Sequence, residues 1–265
     1  MIRRTQIQHH LPGDHPWQNQ IIWYDVTDST NAQAKKLAME GAPSGTVLIA
    51  DHQTAGKGRM GRNFQSPGSM GVYMSVILRL PCKPAQLMHL TSAAAVAACD
   101  AVEAAAGFCP GIKWTNDLVH DKRKLAGILT ELIILPEETV AIIGIGINCR
   151  QTLSDFSDDI RSFAGSLQMF AQTDVDRAKV AAALIEAFSQ MAPQLLSEKE
   201  SILKRYRDHC VTLGKDIQLL YADTVSYGHA VDIDADGALL IRLPDGSMRT
   251  VNAGEVSVRG MYGYN

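Results

Sequence analysis

Along most of the chain, long apolar runs alternate with amphipathic stretches, and after Leu213 the runs become short and alternate with period two. "IIWYDV" (21–26), "TVLIADH" (46–52) and "VYMSVILRL" (72–80) predict strands. "STNAQAKKLAMEG" (29–41) predicts a helix: Ala34, Leu37 and Ala38 share a face, Thr30 and Gln33 fit a reciprocal N-terminal cap, and Gly41 suits the stop. Pro84 is expected to open a long helix reaching Ala106, with Gly107 behind it; being apolar nearly all round, it is expected to be buried. "IKW" (112–114), "LVHD" (118–121), "KLAGILTELII" (124–134) and "TVAIIGIGIN" (139–148) predict successive strands with tight connections. Two further helices are expected at about 174–192 and 197–209. In the period-two tail, the Asp-Gly pairs at 236–237 and 245–246 mark hairpin turns and predict a compact all-β unit.

Strands and helices in this order place the chain in the α+β class. The expected division is an irregular lead-in over 1–20, broken by Pro12, Gly13 and Pro16, a main domain over 21–209 and a small β-barrel over 210–265. The net charge of −3 over 265 residues exerts no general pull on nucleic acid or anionic membrane, so any basic function must be local. The five cysteines are widely spaced with no zinc pattern, and the N-terminus lacks an apolar signal core. Reduced thiols in a cytoplasmic protein are therefore expected, and no apolar run is long enough to span a bilayer.

The candidate chemistry begins in "AGKGRMGRNFQSPGSMG" (55–71), where glycines are interleaved with Lys57, Arg59 and Arg62. Glycine lets backbone N–H groups converge on an anion, and three cations stand among them. Gly56, Gly58 and Gly61 spell G-x-G-x-x-G, but Pro67, Gly68 and Gly71 forbid the helix that a dinucleotide fingerprint requires. Walker and kinase loops fail as well, because Lys57 is followed by Gly58 and Asn63 stands where a kinase loop has valine. A solvated surface loop remains the plain alternative. In "KWTNDLVHDKRKLAG" (113–127), Lys113, Asn116 and Asp117 lie at a strand end, Lys124 begins the next strand, and Gly127 leaves a gap that a ligand could use. A hairpin with polar turn residues is the alternative there. The near-continuous apolar run of "AIIGIGIN" implies a strand buried on both faces. Its period of two aligns Gly144, Gly146 and Asn148 as a bare floor for a flat ligand, unless a helix packs on the glycines instead.

"DSTN" (28–31), "HQTAGKGRMGR" (52–62), "KWTNDL" (113–118), "KLAGIL" (124–129) and "GIGIN" (144–148) together resemble the biotin–protein ligase family, in its order and spacing, and "AGEVSVRGMYGY" looks like its C-terminal domain. The resemblance covers about residues 21–262. It implies a mixed β-sheet flanked by helices with a C-terminal SH3-like β-barrel. It implies two steps: biotin and Mg-ATP give biotinyl-5′-AMP, and a lysine of a biotin carboxyl carrier protein then takes the biotinyl group. Biotin and ATP with Mg2+ are then substrates, with no tightly bound prosthetic group and no identified metal ligands.

By motif position the resemblance puts Ser29, Thr30, Asn31, Gln53 and Gly56 around the biotin head, with Gly127, Gly144 and Gly146 beneath it. Lys57, Gly58, Arg59 and Arg62 belong to the loop over biotin and adenylate, Lys57 and Arg59 having catalytic roles. Lys124 matches the lysine bridging carboxylate and phosphate, Lys113, Asn116 and Asp117 the phosphate side, and Asn148 the amide that reads adenine. Thr115 stands where many members have proline, and Lys57 and Met60 where arginine is frequent; lysine at 57 keeps the charge but not the bidentate fork. About 20 residues precede the first strand, too few for a helix-turn-helix, so a partner set without DNA or membrane is expected, and a homodimer is possible. The rivals are a lipoate ligase or octanoyltransferase, whose substrates have no ureido ring to occupy the polar set, and a nucleic-acid binder, which the acidic net charge and the lack of an aromatic platform near the loop disfavour.

Overall fold

Every residue from Thr139 to Asn148 is buried, and the strand they form is the central one of seven. The computed structural model describes residues 3–221, 224–252 and 257–259. The strands of the main sheet are β1 (Ile21–Thr27), β2 (Thr46–Gln53), β3 (Gly71–Leu80), β4 (Gly111–Lys113), β5 (Asp117–His120), β6 (Arg123–Ile134) and β7 (Thr139–Asn148). Their order is β1-β2-β3-β7-β6-β5-β4. Only β1 and β2 run parallel, because a helical crossover joins them. All other neighbours are antiparallel.

The six α-helices among the described residues are α1 (Arg4–His10), α2 (Thr30–Met39), α3 (Leu90–Ala106), α4 (Asp158–Arg161), α5 (Arg177–Gln194) and α6 (Lys199–His209). One face of the sheet packs on α3 and α5: Val76, Leu78, Ala141, Ile143 and Ile145 join the helices' apolar side chains in one core. The opposite face is covered by α2, whose Ala34 and Ala38 meet Leu48, Ile77, Val140 and Ile142. At ten residues α2 is about 15 Å long, shorter than β7, which rises about 3.4 Å per residue. Beyond Ile142, where the sequence turns to Gly144, Gly146 and Asn148, that face is left for a loop to cover.

Three expectations are corrected. The stretch before Ile21 is not irregular, because Pro12, Gly13 and Pro16 all follow the end of α1 and cannot break it. Ile7 is fully buried and Leu11 nearly so, an i,i+4 apolar pair packed in the main core. Pro84 opens a 3₁₀ turn over Pro84–Leu87, and α3 starts only at Leu90, after His89 turns its ring inward to meet the Leu195 carbonyl at 2.9 Å. The N-cap of α2 is Ser29, not Thr30, and it makes no side-chain cap. The Thr30 N–H donates to Gln53 Oε1 (2.8 Å) and Gln33 donates to Asp28 (2.9 Å), so the cap comes from the neighbouring strand. At the other end of α3, Gly107 takes φ +80° as a left-handed stop.

The second sheet contains β8 (Asp216–Tyr221), β9 (Thr224–Ile233), β10 (Leu239–Arg242), β11 (Met248–Val251) and β12 (Ser257–Arg259), antiparallel in the order β11-β10-β9-β8-β12. Both expected Asp-Gly turns are present, with Gly237 and Gly246 at φ +86° and +85°. The tail "AGEVSVRGMYGY", apart from the backbone of Ser257–Arg259, lies outside the described residues. No described helix is long and apolar enough to cross a membrane.

One buried ion pair fastens the end of β2. Arg177, at the start of α5, reaches Asp51 at 2.9 Å and the Gly71 carbonyl at 2.8 Å, and Asp51 also accepts from the Ser69 N–H at 3.1 Å. The segment returning from the glycine-rich loop to β3 is thereby tied to both the sheet and a helix. Ile7→Ala should cost about 2–5 kcal/mol, because a large side chain is removed from a site with no water contact. Urea unfolding of the variant checks this, and an unchanged midpoint would show α1 to be an ornament.

Candidate functional site

A cavity of about 410 Å³ lies on the α2 side of the sheet, over the part of β7 beyond the apolar face of α2. Its floor follows the strand pairing: Gly144 faces Ser75 and Leu129, and Gly146 faces Tyr73 and Gly127. The floor is not bare. The Asn31 amide is seated directly on Gly144 and the Phe64 ring directly on Gly146, each where a β-carbon would otherwise be. Lys124 reaches across Gly127, its Nζ 3.4 Å from the point a β-carbon would occupy.

One end of the cavity is a polar lattice. Gln53 Oε1 accepts from Thr30 N–H (2.8 Å) and Thr30 Oγ1 (3.1 Å), while Gln53 Nε2 donates to Ser66 Oγ (2.9 Å). Ser75 Oγ lies 2.8 Å from Thr30 Oγ1 and 2.6 Å from Asn31 Oδ1. Asn31 Nδ2 donates to Glu131 (2.9 Å) and to the Leu129 carbonyl (3.2 Å). Ser29, Thr30 and Asn31 are buried, so their groups are fixed in place rather than exchanging with water.

The other end is cationic. Lys57, Arg59, Arg62, Lys113 and Lys124 line it, against the carboxylates Asp117 and Asp159. Lys124 Nζ pairs with Asp117 Oδ1 at 2.7 Å. Arg59 Nη1 donates to Asn116 Oδ1 at 2.8 Å, and Asn116 Nδ2 donates to the Ile128 carbonyl at 2.9 Å. Arg59 Nη2 is buried with no hydrogen-bond partner among the described residues. Burial lowers the pKa of Arg59; Asp117 opposes that shift and Arg62 adds to it. A guanidinium held dry with one edge unsatisfied is a prepared place for an anion.

The glycine-rich segment forms a tight hairpin. Lys57 bridges Asn63, Gly58 N–H donates to the Arg62 carbonyl at 2.7 Å, and Met60 and Gly61 turn the tip with φ of 56° and 72°. This carries Lys57, Gly58, Arg59 and Arg62 over the floor.

Of the residues singled out from sequence, all but Gly56 and Asn148 line the cavity. Gly56 supports the hairpin from behind: a β-carbon there would come within 2.5 Å of the Phe64 carbonyl and 2.7 Å of Ser66 Oγ. Asn148 is buried beyond the cavity wall, its amide donating to the Gly165 carbonyl (2.9 Å) and accepting from Gln151 (3.1 Å). Phe64, on the returning arm of the hairpin, brings one aromatic ring to the cavity, which the sequence reading did not single out. Ser75 and Glu131 were also missed, although each is a polar residue in a mainly apolar strand run, which is the available signal.

Residues 23–148 match the biotin/lipoate A/B protein ligase family, and residues 212–259 match the biotin protein ligase C-terminal domain. This chain belongs to the biotin protein ligase family. Within the family, it is 35% identical to the bifunctional ligase/repressor BirA of Bacillus subtilis over 235 residues, covering 88% of this chain and 72% of that protein. It is 32% identical to the biotin–[acetyl-CoA-carboxylase] ligase of Mycobacterium tuberculosis over 236 residues, covering 87% and 85%. The Aquifex aeolicus biotin protein ligase, solved in complex with biotin and ATP, superposes with a TM-score of 0.76 at 27% identity, covering 90% of this chain and 98% of that one.

Gly144→Ala should place a methyl group on the Asn31 amide and destabilise the fold by about 1–3 kcal/mol through overpacking. Chemical denaturation reads this directly, and wild-type stability in the variant would mean the amide can move aside freely.

Proposed function

We propose that the chain is an ATP-dependent biotin–protein ligase that converts biotin to biotinyl-5′-AMP and transfers the biotinyl group to a lysine of a biotin carboxyl carrier protein. The observation that carries this reading is one cavity with a fixed polar lattice at one end and five cations at the other. A ureido ring offers one carbonyl and two N–H groups, which a small set of immobilised donors and acceptors can recognise. Lipoate and octanoate offer no such ring, and the lattice of Ser29, Thr30, Asn31 and Gln53 would then serve no substrate.

The chemical difficulty is that a carboxylate must attack an α-phosphate, so two anions must meet. Lys124 lies beside Gly127 on the floor and is assigned the bridging role. Its present partner, Asp117, keeps the ammonium aimed and in place. An arriving carboxylate can share that ammonium while Arg59 presents its unsatisfied Nη2 to phosphate oxygen. Lys57 and Arg62 on the hairpin, with Lys113 at the end of β4 and Asn116 in the turn after it, complete the cationic and polar wall around the phosphates. Positive charge fixed beforehand costs no reorganisation when the bond forms.

In the second step a neutral lysine amine attacks the acyl carbon of the mixed anhydride, the acyl–oxygen bond breaks, AMP leaves and the amine loses a proton. The same cations stabilise the departing phosphate. Asn148, assigned to adenine, retains one N–H and one lone pair beyond those used by Gly165 and Gln151, but it lies outside the cavity lining, so a contact with adenine requires a shift of its surroundings. Among the described residues no three His, Cys, Asp or Glu side chains gather as a metal site. Magnesium is assigned to the triphosphate as part of the substrate, with Asp117 as a carboxylate available to it.

Incubation with ATP, labelled pyrophosphate and each acid in turn tests the reading: exchange with biotin supports it, and exchange with lipoate alone overturns it. Lys124→Ala should lower biotin-dependent exchange by on the order of 10²–10³-fold with an unchanged circular dichroism spectrum. Arg59→Gly should release preformed adenylate faster while slowing its formation less, because Arg59 sits on the covering hairpin; single-turnover formation and chase experiments separate the two rates.

A further inference from the structure

The segment that carries Asn116 and Asp117 into the cavity is secured from outside the seven-stranded sheet. The Trp114 N–H donates to Thr212 Oγ1 at 2.9 Å, and Trp114 Nε1–H donates to the Gly237 carbonyl at 3.0 Å. The Tyr206 hydroxyl donates to the Thr115 carbonyl at 3.0 Å. These partners come from α6, from the link after it and from the β9–β10 turn, none of which lines the cavity. Tyr206 and Thr212 are fully buried, and Trp114 and Thr115 are 4% and 5% exposed. Water cannot replace a lost partner at such depth, so each of these bonds constrains the backbone more firmly than a surface bond would. One residue further on, Asn116 accepts from Arg59 at 2.8 Å, so an unbroken line of contacts runs from the second sheet to the hairpin cation.

We propose that Tyr206 and Thr212 are positioning residues for adenylate formation: α6 and the C-terminal sheet set the ATP side of the cavity by fixing the Trp114–Thr115 backbone, without touching substrate. This rests on the ligase reading above. The polar lattice at the other end takes its support from β2, β3 and β6 instead, through Gln53, Ser75, Leu129 and Glu131. The two substrates should therefore respond differently to the same change.

The test compares the full chain with Tyr206→Phe, Thr212→Val and Thr212→Ser. Tyr206→Phe removes only the hydroxyl, Thr212→Val removes the acceptor at constant shape, and Thr212→Ser restores that acceptor. Biotin-dependent pyrophosphate exchange at varied ATP gives KM for ATP and kcat, and calorimetric titration without ATP gives biotin affinity. KM for ATP should rise roughly tenfold in Tyr206→Phe and Thr212→Val, stay near wild type in Thr212→Ser, and leave biotin affinity within about twofold in all three. Unchanged KM for ATP in the first two variants overturns the inference. So does a loss of biotin affinity equal to the loss for ATP, which would mark general loosening. Biotin-dependent exchange in the wild type must come first; its absence would sink the ligase reading and this inference with it.

Discussion

Two missing side chains on the central strand determine where everything else can be. β7 is buried along its whole length, so any residue with a β-carbon at Gly144 or Gly146 would displace the Asn31 amide or the Phe64 ring. The glycines let two different segments, the start of α2 and the returning arm of the hairpin, approach the sheet backbone directly. The apolar face of α2 ends its coverage at Ile142, its first turn lays Asn31 on Gly144, and the hairpin takes over at Gly146. The cavity is the space left between the two, with a floor rigid enough to hold polar groups in fixed directions. A helix over the whole face would have closed it.

The second constraint is charge. Five cations around a half-enclosed space repel one another, and the protein offsets this locally. Asp117 holds Lys124, Asn116 takes one edge of Arg59, and the exposed hairpin leaves Lys57 and Arg62 partly to water. The compensation is incomplete, as the buried, unpartnered Nη2 of Arg59 shows. A site meant only for stability would be expected to finish that pairing. One awaiting an anionic substrate is better served by leaving it open.

Much of this was legible in the sequence because it rests on backbone. The succession of strands along the chain, the doubly buried character of β7 and the Asp-Gly turns all follow from periodicity and from residues that tolerate positive φ; the glycine-rich segment was legible as a loop, not as a hairpin. The candidate residues were read as motifs, and the fold brings nearly all of them to one cavity. What escaped depends on contacts across long sequence distances. Thr30 looks like a cap in its own segment, yet Gln53, 23 residues on, supplies the acceptor. Ser75 and Glu131 look like faults in apolar strands until Asn31 is placed between them. Phe64 carries no local sign that its ring will rest on Gly146. Helix α1 escaped because nearby prolines suggested disruption, whereas its burial depends on α5, far away in the chain.

That last separation has a consequence for biogenesis. Ile7 is buried in the core that α5 completes, and His15 meets Ser189 at 3.1 Å across 174 residues. During synthesis, α1 can meet only nearby residues such as Gln18 and Asn19 at first, and it gains its main packing surface once α5 has been made. α1 is therefore a late arrival in folding relative to its place in the chain, and until α5 is made Ile7 and Leu11 are apolar residues that a chaperone could meet.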